Sequence, residues 1–270
     1  MAFPYFLRVA YVGTAFSGFQ VQTVLRSVQG DLWKALKTFD PAAPMPQGTG
    51  RTDAGVHARA QGVLVVLSKE WDPYRLLAAF NAHLGPDARV MEVLPAPPGF
   101  FPRAHAVGKR YVYRIQEGPA EDPFLHGRRW HVHGAVPLDR EAMAQAASHL
   151  VGVHDFSSFR HQECAARSPI KEIHAIRLEG EGRSLDLVFE GNRFLMHMVR
   201  IMAGTLVEVG KGRYAPGDLP GILEARDRRR AGITAPPHGL YLEQVWYQRR
   251  WGIGEPSPWP EEAPEDSERP

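Results

Sequence analysis

Hydrophobic and polar positions alternate or recur along the chain in blocks that predict its elements. Residues 6–12 are rich in β-branched and aromatic side chains and read as a strand. Val28, Leu32, Leu36 and Phe39 recur at helical spacing behind Ser27, a suitable N-cap, and Pro41, Pro44 and Pro46 end that helix. A strand is expected at about 61–67, a helix from Asp72-Pro73 to about His83, and a strand at Arg89–Leu94. After Pro95, Pro97, Pro98 and Gly99, Lys109–Gln116 alternates. Tyr111, Tyr113 and Ile115 share one face of it, and Arg110, Val112 and Arg114 the other. Asp139–Leu150 reads as a helix with Met143, Ala146, Ala147 and Leu150 inward. Strands follow at about 172–179 and 184–190, a helix at about Arg193–Val209, a shorter one at 216–226, and a closing strand at Tyr241–Tyr247.

This order of strands and helices predicts an α+β layer fold. The proline-rich break suggests an N-terminal half at 1–100 and a C-terminal half at 101–251. Residues 252–270, with five prolines among acidic residues, are expected to form a disordered tail. The helix at 193–209 is apolar over most of its circumference, and Arg193, His197, Arg200, Gly204 and Glu208 share the remaining stripe. Arg200 is therefore expected to lie buried near the helix middle, where an arginine needs a carboxylate partner or an anionic ligand.

Composition narrows the classes. With 270 residues, 44% hydrophobic and 23% charged, the chain has the balance of a globular protein. No run of about 18 apolar residues suits a membrane-spanning helix. Met1–Tyr5 carries no secretory pattern, and Cys164 is the only cysteine, so a reducing cytoplasm is the expected location. The net charge of +2 hides an asymmetry: residues 252–270 hold six acids and one base, which leaves +7 on the rest. Arginine and lysine cluster at 226–230, 128–129, 109–110 and 249–250, so a phosphate-backbone partner competes with a solvated basic face as their explanation.

The densest chemistry lies in Gly48-Thr49-Gly50-Arg51-Thr52-Asp53-Ala54-Gly55-Val56-His57. Either Asp53 orders this glycine-rich turn by capping backbone N–H groups, or it is presented to a substrate. The loop stands between a helix and a strand and has no following lysine, which removes the P-loop and dinucleotide readings. None of the 12 histidines forms a metal-binding spacing, and no Gly-x-Ser-x-Gly elbow occurs. Phe16 and Phe19, in the glycine-rich segment 13–20, could be core plugs or base-stacking platforms. What remains is an aspartate beside an arginine, which favours the ionised carboxylate of a nucleophile or base, and a tyrosine able to stack on a base.

These residues resemble the TruA family of tRNA pseudouridine synthases. The Gly50–His57 block is similar to the family signature, as are Gly13–Gln20, Lys109–Tyr113, His154–Phe159, Phe194–Arg200 and Gly239–Leu242, in the family order over about residues 5–247. Phe19 stands where tryptophan is frequent, and the acidic tail lies outside the pattern. The resemblance implies a cofactor-free isomerase converting uridine to pseudouridine at positions 38, 39 and 40 of the tRNA anticodon stem-loop. It implies catalytic roles for Asp53 as nucleophile (at C1′ or at the base), for Arg51 and for Arg200 as the partner of Asp53. Tyr111, Arg51 and His57 would contact substrate. It implies no metal, a homodimer, and a mixed, mostly antiparallel central sheet. That sheet would come from two similar α/β halves with helices on the outer faces and the active cleft between them. A non-catalytic RNA-binding module and a histidine-based metal hydrolase remain as rivals at this stage.

Overall fold

The computed structural model describes residues 2–259. Its ten strands form a mixed, mostly antiparallel sheet that does not close, and with six α-helices they give the expected α+β class. The chain divides into two compact units. One comprises the chain up to Lys109 and from Leu242 onward; the other is Arg110–Tyr241.

In the first unit, β1 (Phe3–Tyr11) pairs antiparallel with both β3 (His57–Leu67) and β4 (Ala88–Pro95), while the short β2 (Gln47–Gly48) pairs with β3. Helix α1 (Val28–Phe39) starts where Ser27 accepts from Gly30 N, and α2 (Pro73–His83) where Asp72 accepts from Arg75 N. Both caps follow from the short polar side chain that satisfies an N–H the helix itself leaves unbonded. Val28, Leu32 and Leu36 of α1 and Leu76 and Phe80 of α2 are fully buried. Strand β3 begins four residues earlier than the alternation suggests, so His57 is a strand residue and not part of the loop.

The second unit holds most of β5 (Ala106–Gly118), which pairs in parallel with β6 (Trp130–His133). Strands β7 (Gly152–Asp155), β8 (Ile170–Glu179) and β9 (Ser184–Gly191) follow in antiparallel pairs. Helix α4 (Arg140–Ser148), capped by Asp139, packs on α5 (Met198–Gly210) and on β8. Met143, Ala146, Ala147 and Leu150 face inward as expected. A one-turn helix α3 (Pro102–His105) precedes β5, and α6 (Leu219–Ala225) lies before β10 (Leu240–Tyr247), which closes the chain's strands.

Two expectations change. Helix α5 starts at Met198, not near Arg193, because His197 sits in the left-handed region at φ 61° and breaks the preceding helical run. Arg200 therefore occupies the first turn of α5 and is half-buried; every other residue of that helix is buried. The second change concerns the tail. Residues 260–270 lie outside the described residues; within 252–259, Ile253 and Ser257 are buried and Pro256 bridges to Tyr247, while Gly252, Gly254, Glu255, Pro256 and Pro258 are exposed.

Candidate active site

In the first unit, the segment from Gly48 to His57 is held by partners far away in sequence. Thr49 N donates to Gly62 O at 2.9 Å, and Thr49 Oγ1 shares a hydrogen bond with the buried Tyr247 hydroxyl at 2.5 Å. Gln61 Nε2 donates to Gly50 O at 2.8 Å. Tyr11 Oη and Thr52 Oγ1 share a buried hydrogen bond of 2.8 Å. The Gly13–Gln20 segment closes over the same stretch: Phe19 N donates to Thr52 O, and Gly55 N to Phe16 O. A Cβ on Gly13 would run into the Val56 carbonyl, so glycine is what permits this backbone approach. Gly55 itself turns at φ 80°. Phe16 and Phe19 are both buried, which settles them as core plugs.

The pattern along the loop alternates. Gly50 and Thr52 are tied down, whereas Arg51 between them is exposed and its side chain has no hydrogen-bond or ion-pair partner among the described residues. Asp53, half-buried, follows the anchored Thr52, and its carbonyl accepts from Val56 N at 3.2 Å. Arg51 and Asp53 thus alternate with anchored residues, and fixed placement is what a nucleophile requires. His57 does not fit the expected substrate contact. It is 1% exposed, and its Nδ1 accepts from Gly13 N at 3.1 Å, so its ring ties the start of β3 to the Gly13–Gln20 segment.

In the second unit, Tyr111 lies on the buried face of β5, its ring edge-on to Phe194 at 5.1 Å. Tyr113 on the same face donates to Pro236 O at 2.7 Å; burial raises its hydroxyl pKa well above the ordinary tyrosine value. Arg200 is braced by the strap at 231–236: its Nε donates to Ala235 O at 2.8 Å and its carbonyl accepts from Ala235 N. The strap lies against α5 because Gly232 N donates to Thr205 Oγ1, and a Cβ on Gly204 would collide with the Ile233 carbonyl. Sequence reasoning missed Tyr11, Gln61 and Ala235. No local pattern marks them, since each acts on residues distant along the chain.

The basic clusters are less available than their sequence suggests. Arg226 pairs with Asp155, Arg229 with Asp227, Arg129 with Asp186 and Arg110 with Glu190. Among the described residues, no group of three or more His, Cys, Asp or Glu side chains could hold a metal ion, and no helix is long and apolar enough to cross a membrane.

Comparison with known proteins gives these features a context. A family model described as tRNA pseudouridine synthase matches residues 146–248, a span that includes Arg200. The chain is 43% identical to a tRNA pseudouridine synthase A of Caulobacter vibrioides, over 90% of this chain and 98% of that protein. It is 43% identical to one of Bradyrhizobium diazoefficiens, covering 90% and 99%, and 41% identical to one of Myxococcus xanthus, covering 90% and 91%. The chain belongs to the tRNA pseudouridine synthase A family of isomerases.

Proposed function

We propose that this protein converts uridine to pseudouridine in the anticodon stem-loop of tRNA, at positions 38, 39 and 40, with Asp53 as the nucleophile. The observation that carries the reading is the position of Asp53 and Arg51 in a segment whose Gly50 and Thr52 are anchored. The reaction breaks the bond between N1 and C1′ and forms one between C5 and C1′. The C5 proton leaves and N1 regains one, so the product is an isomer and the balance calls for no oxidant, reductant or co-substrate.

Each residue has a task in that sequence. A base inside a helical stem is reachable only when it leaves the stack, and the exposed Arg51 guanidinium is suited to the vacated position or to the flipped nucleotide's phosphate. Asp53 attacks as the carboxylate. Arg200, held by Ala235, is assigned a catalytic role. Tyr111 stacks on the target uracil and receives support from Phe194 behind it. We assign the work to a homodimer in the cytoplasm without cofactor or metal.

The test is incubation of the full-length protein with a uridine-containing anticodon stem-loop, in chelator, followed by nucleoside analysis. Pseudouridine is expected from the native protein, and none above background from Asp53→Asn, which retains measurable RNA binding. Substantial turnover by Asp53→Asn would remove the nucleophile assignment. Binding of the RNA with no product would leave a non-catalytic RNA-binding module.

A further inference from the structure

Asp53 and Arg51 alternate with residues whose polar groups are captured from behind by two neighbouring strands. Tyr11, at the end of β1, reaches the Thr52 hydroxyl at 2.8 Å, and Gln61, on β3, reaches the Gly50 carbonyl at 2.8 Å. Both are buried: Gln61 is 0% exposed and Tyr11 4%. The β1–β3 register is irregular beside Tyr11. Val9 pairs with Gln61 but Tyr11 with Ala58, so β3 carries one extra residue opposite Ala10. A bulge of this kind increases the local twist of the strand that carries it. The Tyr11 ring is further fixed edge-on to Phe16, the residue whose carbonyl accepts from Gly55 N.

We infer that Tyr11, Thr52 and Gln61 are positioning residues for the reaction, forming a buried hydrogen-bonded backing that fixes the Asp53 carboxylate. The inference rests on the assignment of Asp53 proposed above. A simpler reading is that these bonds only stabilise the fold, and geometry argues against leaving it there. Phe19 N already satisfies the Thr52 carbonyl, and β1 and β3 are paired along eight positions without help from Tyr11 Oη. The Tyr11–Thr52 bond adds one specific thing: it fixes the rotation of the residue immediately before Asp53. A nucleophile displaced by about 1 Å can lose on the order of a hundredfold in rate while binding is kept.

The experiment compares Tyr11→Phe, Thr52→Val, the double variant and Thr52→Ser in single-turnover and steady-state assays on tRNA. Tyr11→Phe keeps the ring and removes only the hydroxyl. Each of the first two is expected to lower kcat by about 10- to 100-fold with KM within about twofold of wild type. The double variant falls no further than the worse single one, because both remove the same bond. Thr52→Ser, which keeps the hydroxyl, retains the wild-type kcat. A Leu76→Ala variant in the distant helix α2, matched for its loss in melting temperature, separates stability from positioning and keeps full kcat. Wild-type kcat in both Tyr11→Phe and Thr52→Val, additive losses in the double variant, or an equal fall in Leu76→Ala would each overturn the inference. Asp53→Asn run alongside keeps the two readings apart. Turnover there removes the nucleophile itself, whereas an inactive Asp53→Asn beside fully active Tyr11→Phe and Thr52→Val removes only the backing.

Discussion

The two units hold their key residues by different chemistry. In the first, the buried polar contacts around the loop are mostly neutral: Tyr11 with Thr52, Gln61 with Gly50, Thr49 with Tyr247. Its ion pairs, such as Arg8–Glu92 and Arg26–Asp87, lie towards the surface, and Asp40 is the exception, a buried carboxylate accepting from Ser68 N. The second unit instead buries carboxylates between arginines. Glu190 on β9 sits between Arg110 of β5 and Arg177 of β8, Asp186 two turns of the pleat away joins Arg114 and Arg129, and Glu117 joins Arg140. Leu185, Leu187 and Phe189, alternating with these acids, fill the opposite face completely. The lesson is that a neutral network fixes geometry with little response to pH or salt. A buried charged ladder is rigid too, but only while its carboxylates stay ionised.

The largest test of that contrast is Glu117→Ala. Glu117 Oε2 accepts from Leu138 N at 2.7 Å and Oε1 from Arg140 Nη2 at 2.9 Å, at a carboxylate side chain only 7% exposed. Truncation leaves a backbone N–H and a guanidinium without this partner. Removing one member of a buried pair costs about 3 kcal/mol, the low end of the usual range because Arg140 keeps some solvent. Urea unfolding at pH 7 measures it; a loss under about 1 kcal/mol would mean the charged framework of the second unit is ornamental.

Glu190→Gln should show the smaller but more diagnostic effect. Burial pushes the Glu190 carboxyl up, yet hydrogen bonds from Arg177 and Arg110 and their charges outweigh it, so its pKa lies below the ordinary 4.5. A depressed folded value contributes stability that is complete above the unfolded pKa and fades as pH falls through the folded one. Both arginines are about 40% exposed, so screening limits the loss in Glu190→Gln to about 1 to 2 kcal/mol at pH 7. The difference from wild type should shrink below pH 4.5 as the wild-type carboxylate takes up its proton. A gap that stays constant down to the folded pKa and beyond would mean that shape, and not charge, holds Glu190.

The same contrast governs what the sequence makes legible. Alternation alone separated the faces of β5, with Tyr111, Tyr113 and Ile115 buried and Arg110 and Arg114 facing Glu190 and Asp186, because a strand's period of two is set locally. The cap at Ser27 and the helix start at Asp72-Pro73 were legible for the same reason. The start of α5 was not. Its apolar run continues back to Phe194, and only the left-handed His197, beside the ring of His161 at 4.5 Å, reveals the break. Arg200 moved with it, from an expected mid-helix burial to the first turn. In the site loop, Asp53 and Arg51 announced themselves through glycine and charge. Tyr11 and Gln61 are 41 and 11 residues from their partners, so nothing in the local pattern could mark them.

The smallest effect returns to the first unit and sharpens the comparison most. Thr49→Val keeps the shape of the side chain but removes the hydroxyl that meets Tyr247 and Gly62 O. One neutral hydrogen bond contributes about 1 kcal/mol, and leaving the buried Tyr247 hydroxyl without it could add a comparable amount. The pH dependence is the informative part. Burial raises the Tyr247 hydroxyl pKa further above its ordinary 10.0, with the bond from Thr49 opposing that rise. A raised tyrosine contributes stability that is complete below 10.0 and lost only as pH climbs through the folded value. The cost of Thr49→Val should therefore be flat from about pH 9 downward, including the range below pH 4.5 where Glu190→Gln converges on wild type. Parallel urea titrations of the two variants measure both slopes. If the Thr49→Val cost instead fades on acidification as that of Glu190→Gln does, the first unit depends on ionised carboxylates too, and the division between a neutral and a charged framework fails.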